Sequence, residues 1–287
     1  MDMEQLTISL LDKETVRLSI VTTTNNTFNS PVILILPAMG VRAKFYQPLA
    51  TAFVEKGINC VISDLRGLGT SSVRPSSKVD FGYKEMITDL EEVVAIVKAK
   101  FVNQPIFILG HSLGGQVASL YLSKHPSTVD GLILVAACSV YYKGWADFQK
   151  WKTLMGVRLF ARLSRLFGYF PGDKVGFGGK GAKTVILDWS HLGVTGEFKL
   201  TGDTFDYETA LKKINIPVFA AAIEGDTLAP KAAMRNLYQK FHPQNPTTTY
   251  ELTKEMVGKP LNHFNWVKNN VPLVARIKEW IATIPVG

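Results

Sequence analysis

Residues 105 to 117 read PIFILGHSLGGQV, an apolar run that ends in a serine between glycines. An apolar run without alternation is typical of a strand covered on both faces of a parallel sheet. The residues from Gln116 to Lys124 are predicted to form a helix. Between the two elements the chain has to turn within a few residues, and the glycines leave room for a strained Ser112. Ser112 is therefore predicted to stand at the tip of the turn rather than in the core.

The composition is that of a globular protein with a sizeable core. The chain has 287 residues, of which 46% are hydrophobic and 20% are charged. Its N-terminal segment is acidic and alternating, unlike a signal peptide, and no apolar run approaches the roughly 20 residues of a membrane span. A cytoplasmic location is therefore expected. Cys60 and Cys138 fall in predicted strands without metal-ligand spacing, so reduced packing cysteines are expected, and neither a metal nor a cofactor is predicted.

Strand and helix patterns alternate along the chain, which predicts an α/β fold. A hairpin is predicted over residues 6–24, strands over 31–37, 58–65, 105–110 and 129–138, and helices over 45–56, 83–100 and 116–124. After Cys138 the alternation stops for about 70 residues; it then resumes with strands over 216–223 and 247–253, each followed by a helix. We therefore predict a mostly parallel central sheet with helices on both faces, built from residues 1–139 and 206–287, with a cap inserted at 140–205.

Three polar residues follow the ends of predicted strands, where an open parallel sheet places its ligands. They are Ser112, Asp226 and His263. A serine hydroxyl needs an imidazole to take its proton, and the imidazole needs a carboxylate on its other nitrogen. These residues are therefore the candidate nucleophile, acid and base, with Glu224 as the alternative acid. His111 is set aside as the base because it lies directly beside the nucleophile.

The resemblance to a known family rests on GHSLGG after a strand, DLRGLGTSS after the strand at 58–65, and the order serine, acid, histidine. Together they resemble the α/β-hydrolase family over nearly the whole chain. PAMGVRAKFYQPLA, GHSLGGQ and GYFPGDKVGFG are similar to a group of bacterial predicted α/β-hydrolases related to serine aminopeptidase-like proteins. The resemblance implies the fold and a triad of Ser112, Asp226 and His263.

Backbone N–H groups are the expected donors to a developing oxyanion. One is that of Leu113, directly after the candidate nucleophile, and the other belongs to the loop after the strand at 31–37. Many relatives carry His-Gly in that loop, where this chain has Pro-Ala-Met-Gly. By position the second donor falls on Met39, with Gly40 as the alternative.

The predicted cap holds most of the net charge. The chain carries +8, and residues 140–200 hold ten Lys and Arg against four acids. Because the charge is concentrated there, nucleic acid is not expected as a partner. Apolar residues at helical spacing alternate with Lys152, Arg158, Arg162 and Arg165; they are Trp151, Leu154, Met155, Leu159, Leu163, Leu166, Phe167 and Phe170. A cap helix with its apolar face over Ser112 is the preferred interpretation, and a surface for anionic lipid or negatively charged substrates is the alternative.

These features predict a serine hydrolase that forms an acyl-enzyme on Ser112, acting on a carboxylic ester with an apolar acyl group. An acyltransferase, a thioesterase and a small-peptide amidase would use the same triad and remain open. A ligand-binding protein on the same fold is the non-enzyme alternative. A small acyl substrate is the expected partner, stable membrane association is not expected, and the oligomeric state is left open.

Overall fold

The strand, turn and helix around Ser112 lie at the centre of the molecule. The computed structural model describes residues 2–24, 26–27 and 29–285. The strands within this part of the chain are β1 (Asp2–Ser9), β2 (Thr15–Thr22), β3 (Val32–Leu36), β4 (Asn59–Ser63), β5 (Ile106–His111), β6 (Gly131–Val135), β7 (Tyr169–Pro171), β8 (Lys180–Ala182), β9 (Val218–Ile223) and β10 (Thr247–Leu252). All but β7 and β8 form one sheet in the order β1-β2-β4-β3-β5-β6-β9-β10.

Helices connect the parallel strands and cover the sheet. They are α1 (Gln47–Glu55), α2 (Tyr83–Lys100), α3 (Leu113–Lys124), α4 (Asp147–Phe167), α5 (Gly172–Val175), α6 (Lys183–Thr195), α7 (Tyr207–Leu211), α8 (Lys231–Tyr238), α9 (Lys254–Val257) and α10 (Val271–Ile281). Short 3₁₀ turns precede α1, α4 and α10. None of the helices in the described ranges combines the length and apolarity needed to cross a bilayer.

The sheet topology confirms the predicted fold class. The hairpin β1-β2 and the pair β2-β4 are antiparallel, whereas all other pairs in the large sheet are parallel. Strand β5 lies between β3 and β6, and all its residues are buried, as its unbroken apolar run predicted. The helix after Ser112 begins at Leu113 rather than at Gln116, so Gly114 and Gly115 lie inside its first turn.

Residues 140–205 contribute none of the strands of the large sheet. They form α4 and α6, which pack against each other, and a small antiparallel ribbon of β7 and β8. The division of the chain at residues 139 and 205 into core and cap stays a prediction.

The orientation of α4 differs from the predicted one. Its buried face consists of Leu154, Val157, Ala161 and Ser164. Most of the predicted apolar face points away from that side; Trp151, Met155, Leu159, Leu166 and Phe167 are exposed. The prediction that this set covers Ser112 is therefore wrong for most of its members. The physical reason is that residues with small side chains, Ala161 and Ser164, form part of the face that packs against the protein.

Glycine is required in the first turn of α3 because two backbone segments approach each other there. A Cβ atom at Gly114 would overlap the carbonyl oxygen of Leu36 and lie 2.8 Å from that of Pro37. The N-terminus of α3 thus packs directly on the end of β3. The turn at Ser112 and the loop after β3 are consequently held at a fixed separation.

We expect Gly114→Ala to lower the free energy of unfolding by about 1–3 kcal/mol, since the added methyl group must displace the end of β3. Gly156→Ala is the matched control, because no atom lies within 4 Å of the position of its Cβ. That change should raise stability by roughly 0.5–1 kcal/mol, as alanine does in a helix interior. Urea denaturation of both variants measures the difference. Equal stability of the two variants would contradict this packing.

Candidate active site

Ser112 occupies a strained turn between β5 and α3. Its backbone has φ 53° and ψ −115°, outside the common regions for a residue with a side chain. Hydrogen bonds hold it there: its N–H donates to the carbonyl of Val135 at 3.2 Å, and its own carbonyl accepts from Gly115 N–H at 3.0 Å. The residue is half-buried while the residues on either side are buried. The serine is therefore presented at the end of the sheet, as its sequence setting predicted.

Asp226 and His263 form a hydrogen-bonded pair. Asp226 follows β9, and its Oδ2 lies 2.7 Å from Nδ1 of His263. The other carboxylate oxygen accepts from the backbone N–H groups of Leu228 and Ala229 at 2.8 and 3.0 Å. Each oxygen of the buried carboxylate thus has its own partners, which hold it toward the imidazole. The Nε2 atom of His263 is the ring nitrogen left for another group.

Glu224, the alternative acid, is engaged elsewhere. Its carboxylate accepts from the backbone N–H of Lys254 at 2.7 Å and lies 3.8 Å from the Nζ of the same residue. The structure thus brings Asp226, rather than Glu224, to His263.

Ser112 and His263 line the same cavity, whose volume is about 470 Å³. The core contributes Ala38, Cys138 and Leu228 to its wall, and α4 and α6 contribute Val157, Phe160 and Trp189. Burial raises the pKa of the Cys138 thiol to about 12, which keeps it protonated. The cavity is consequently mainly apolar. The described residues contain no group of three His, Cys, Asp or Glu side chains suited to a metal ion.

The predicted backbone donors lie at this cavity. Leu113 is the first residue of α3, so its N–H has no acceptor within the helix. Met39 and Leu113 both line the cavity, whereas Gly40 does not and packs against the backbone of Gly178. The N–H of Ala38 is taken up by the hydroxyl of Tyr46 at 2.9 Å. Of the two candidate donors in this loop, Met39 is thus the one that reaches the cavity that holds Ser112.

Sequence reasoning missed a buried network behind the site. The hydroxyl of Tyr46 accepts from Ala38 N–H, and its proton can therefore go to Nδ1 of His111, 2.7 Å away. The rings of His111 and His263 lie 4.8 Å apart. Burial, helped by the neighbouring His263, holds the pKa of His111 well below its usual range, while a hydrogen bond to the His263 backbone acts in the opposite direction. A neutral His111 thus connects the Met39 loop to the His263 loop.

The indole of Trp266 completes this network, since its N–H donates to the carbonyl of His263 at 3.0 Å. Only one feature of the sequence indicated this network, namely the position of His111 next to Ser112. Tyr46 and His111 are separated by 65 residues, and no spacing pattern indicates their contact.

A serine on a strained strand–helix turn of a mostly parallel sheet, beside an aspartate–histidine pair, is the arrangement of an α/β-hydrolase. Comparison with known proteins agrees. The family described as "Serine aminopeptidase, S33" matches residues 29–170. A bifunctional esterase/perhydrolase from Acinetobacter calcoaceticus is 27% identical over 225 residues, covering 70% of this chain and 76% of the relative. The chain belongs to the α/β-hydrolase family.

Other relatives match over shorter stretches or by fold. Human monoacylglycerol lipase ABHD6 is 28% identical over 130 residues, which are 45% of this chain and 37% of the lipase. The structure of an esterase from Exiguobacterium antarcticum superposes with a TM-score of 0.66 at 17% identity, over 98% of this chain and all of the esterase. At that identity the likeness concerns the fold alone.

We expect Tyr46→Phe to lower kcat about tenfold, equivalent to about 1.4 kcal/mol, because the Met39 loop loses its link to His111. KM should change little, since Tyr46 does not line the cavity. The matched control is Tyr207→Phe, in which an equally buried tyrosine loses its hydroxyl contact with Asp203, a residue that pairs with Lys124 at the other end of α3. Steady-state kinetics on a short-chain ester would contradict the positioning role if both variants lost kcat equally, or if neither did.

Proposed function

We propose that the protein is a serine esterase that forms an acyl-enzyme on Ser112. The observation that carries this proposal is the 2.7 Å contact between Asp226 and His263 beside a strained serine in one cavity. In this reaction Ser112 Oγ attacks the carbonyl carbon of the ester while Nε2 of His263 takes its proton. Asp226 accepts the hydrogen bond of Nδ1, which leaves Nε2 unprotonated, and it stabilises the imidazolium that forms.

The negative charge that develops on the carbonyl oxygen needs donors fixed in advance. The N–H groups of Leu113 and Met39 would supply them. The protonated His263 then gives its proton to the leaving alcohol, and the acyl group stays on Ser112. A water molecule, deprotonated by His263, attacks this acyl-enzyme and releases the carboxylic acid, which restores the free serine.

The apolar lining of the cavity supports the proposal that the enzyme recognises the apolar acyl group of its substrate. Val157, Phe160 and Trp189 offer hydrophobic surface in the same cavity as Ser112, and each buried CH₂ of a substrate contributes about 0.8 kcal/mol. The names of similar proteins, an esterase/perhydrolase and a monoacylglycerol lipase, support esters as the substrate class.

A series of p-nitrophenyl esters tests this proposal. We expect kcat/KM to rise from acetate through butyrate to octanoate, because the longer chains bury more surface in the cavity. Ser112→Ala should abolish turnover and labelling by a fluorophosphonate. The matched control is Ser119→Ala, which removes another serine hydroxyl from α3, one bonded to the Gly115 carbonyl. Turnover that survives in Ser112→Ala would overturn the proposal; a flat chain-length profile would overturn its substrate class.

The acid is tested by a pair of isosteric changes. Asp226→Asn should lower kcat on the scale of about 10⁴, the effect of the corresponding change in a serine protease, because the amide favours the wrong tautomer of His263. Glu224→Gln should leave kcat within about twofold, since that carboxylate binds the Lys254 backbone. Kinetics of both variants at neutral pH give the ranking, and the reverse ranking would move the role to Glu224.

A further inference from the structure

Helix α4 carries an apolar stripe on its solvent side that the fold does not use. We call it the α4 ridge, and it consists of Phe148, Trp151, Met155, Leu159 and Leu166. Their spacings of three, four, four and seven residues place them in one line along the helix. All five side chains are about half to three-quarters exposed. Scattered apolar residues on a surface are ordinary, but a continuous stripe on one helix marks an interaction surface.

The ridge is independent of the packing that holds α4 in place. The opposite face of the helix, with Leu154, Val157 and Ala161, is buried against the protein. Val157 also lines the cavity at Ser112. Because the inner face already anchors the helix and covers the cavity, the ridge remains available to a partner.

Positive charge accompanies the ridge along its whole length. Lys152 and Arg162 lie within the stripe, Arg158 and Arg165 flank it, and all four are exposed. Asp147 is the one acidic residue in the helix, against five Lys and Arg. An apolar stripe with cations in and beside it is complementary to a surface that has negatively charged groups on the outside and hydrocarbon beneath them.

We infer that the α4 ridge docks on the surface of an anionic lipid bilayer. The apolar side chains would enter the boundary between headgroups and acyl chains, ~5–10 Å deep, while the Lys and Arg side chains reach the anionic headgroups. Lys152, which lies between the apolar residues of the ridge, also lines the cavity. Docking would therefore place the mouth of the cavity at the lipid surface.

A second copy of the chain is a poorer occupant of this surface. Pairing two ridges would bring the same cations face to face, and each chain already carries a net charge of +8. Like charges opposed across an apolar contact disfavour such a dimer, whereas anionic lipid is complementary to both properties of the ridge.

Sedimentation with vesicles tests the inference. We expect the protein to bind phosphatidylcholine vesicles containing about 30% phosphatidylserine, to bind neutral vesicles poorly, and to be released by salt, which shortens the screening length. Two ridge variants, Arg158→Gln/Arg162→Gln/Arg165→Gln and Met155→Ser/Leu159→Ser, should each lower the bound fraction at least about tenfold.

The matched control removes three other exposed cations in Lys56→Gln/Lys98→Gln/Lys212→Gln. These lysines precede β4, β5 and β9, so they lie at the amino ends of the strands, whereas the cavity lies at the carboxyl ends. Binding of this variant to the vesicles should therefore persist. Turnover of a short-chain ester by the ridge variants, none of which changes a cavity residue, shows that they are folded. Ser112→Ala should bind vesicles like the unaltered protein, which separates this test from that of the proposed function.

Three results would overturn the inference. One is the absence of binding to phosphatidylserine vesicles at low salt. A second is an equal loss of binding in the ridge variants and the lysine control, which would indicate attraction by net charge alone. The third is a dimer in light scattering that Met155→Ser/Leu159→Ser dissociates, which would assign the ridge to a second copy.

Discussion

The close approach of α3 to the ends of β3 and β6 determines the geometry of the site. Three glycines permit it: a Cβ at Gly110 would overlap Gly115, one at Gly114 would overlap the Leu36 carbonyl, and one at Gly115 would overlap Ala137. Ser112 lies between these close contacts and adopts a positive φ. The helix N-terminus, the Met39 loop and the serine are consequently fixed relative to one another.

A second constraint lies beneath this turn. His111 precedes the serine and contacts both Tyr46 and the ring of His263. Because burial keeps this imidazole uncharged, it can link two loops without placing a positive charge beside His263. Together the glycine contacts and the buried histidine account for how residues distant in sequence are held around one cavity, which is what catalysis by preorganised groups requires.

The elements of the sheet could be predicted because each has its own local signal. The unbroken apolar run of β5 and the 3.6-residue pattern of α2 gave correct types and nearly correct bounds. Asp226 and His263 could be named because they follow strands whose carboxyl ends share one edge of a sheet. The orientation of α4 could not, because Leu154 and Met155 are adjacent apolar residues and periodicity does not decide which of them faces inward. The contact of His111 with Tyr46 depends on tertiary packing alone.

The proposed mechanism requires an acyl group to be bound covalently to Ser112 during turnover. Mass spectrometry after acid quenching, during the first turnovers of p-nitrophenyl octanoate, tests it most directly. We expect an octanoyl adduct on the peptide that contains Ser112, and this adduct should disappear as the substrate is consumed. Turnover that proceeds without an adduct, or an adduct on another residue of the cavity such as Cys138, would contradict it.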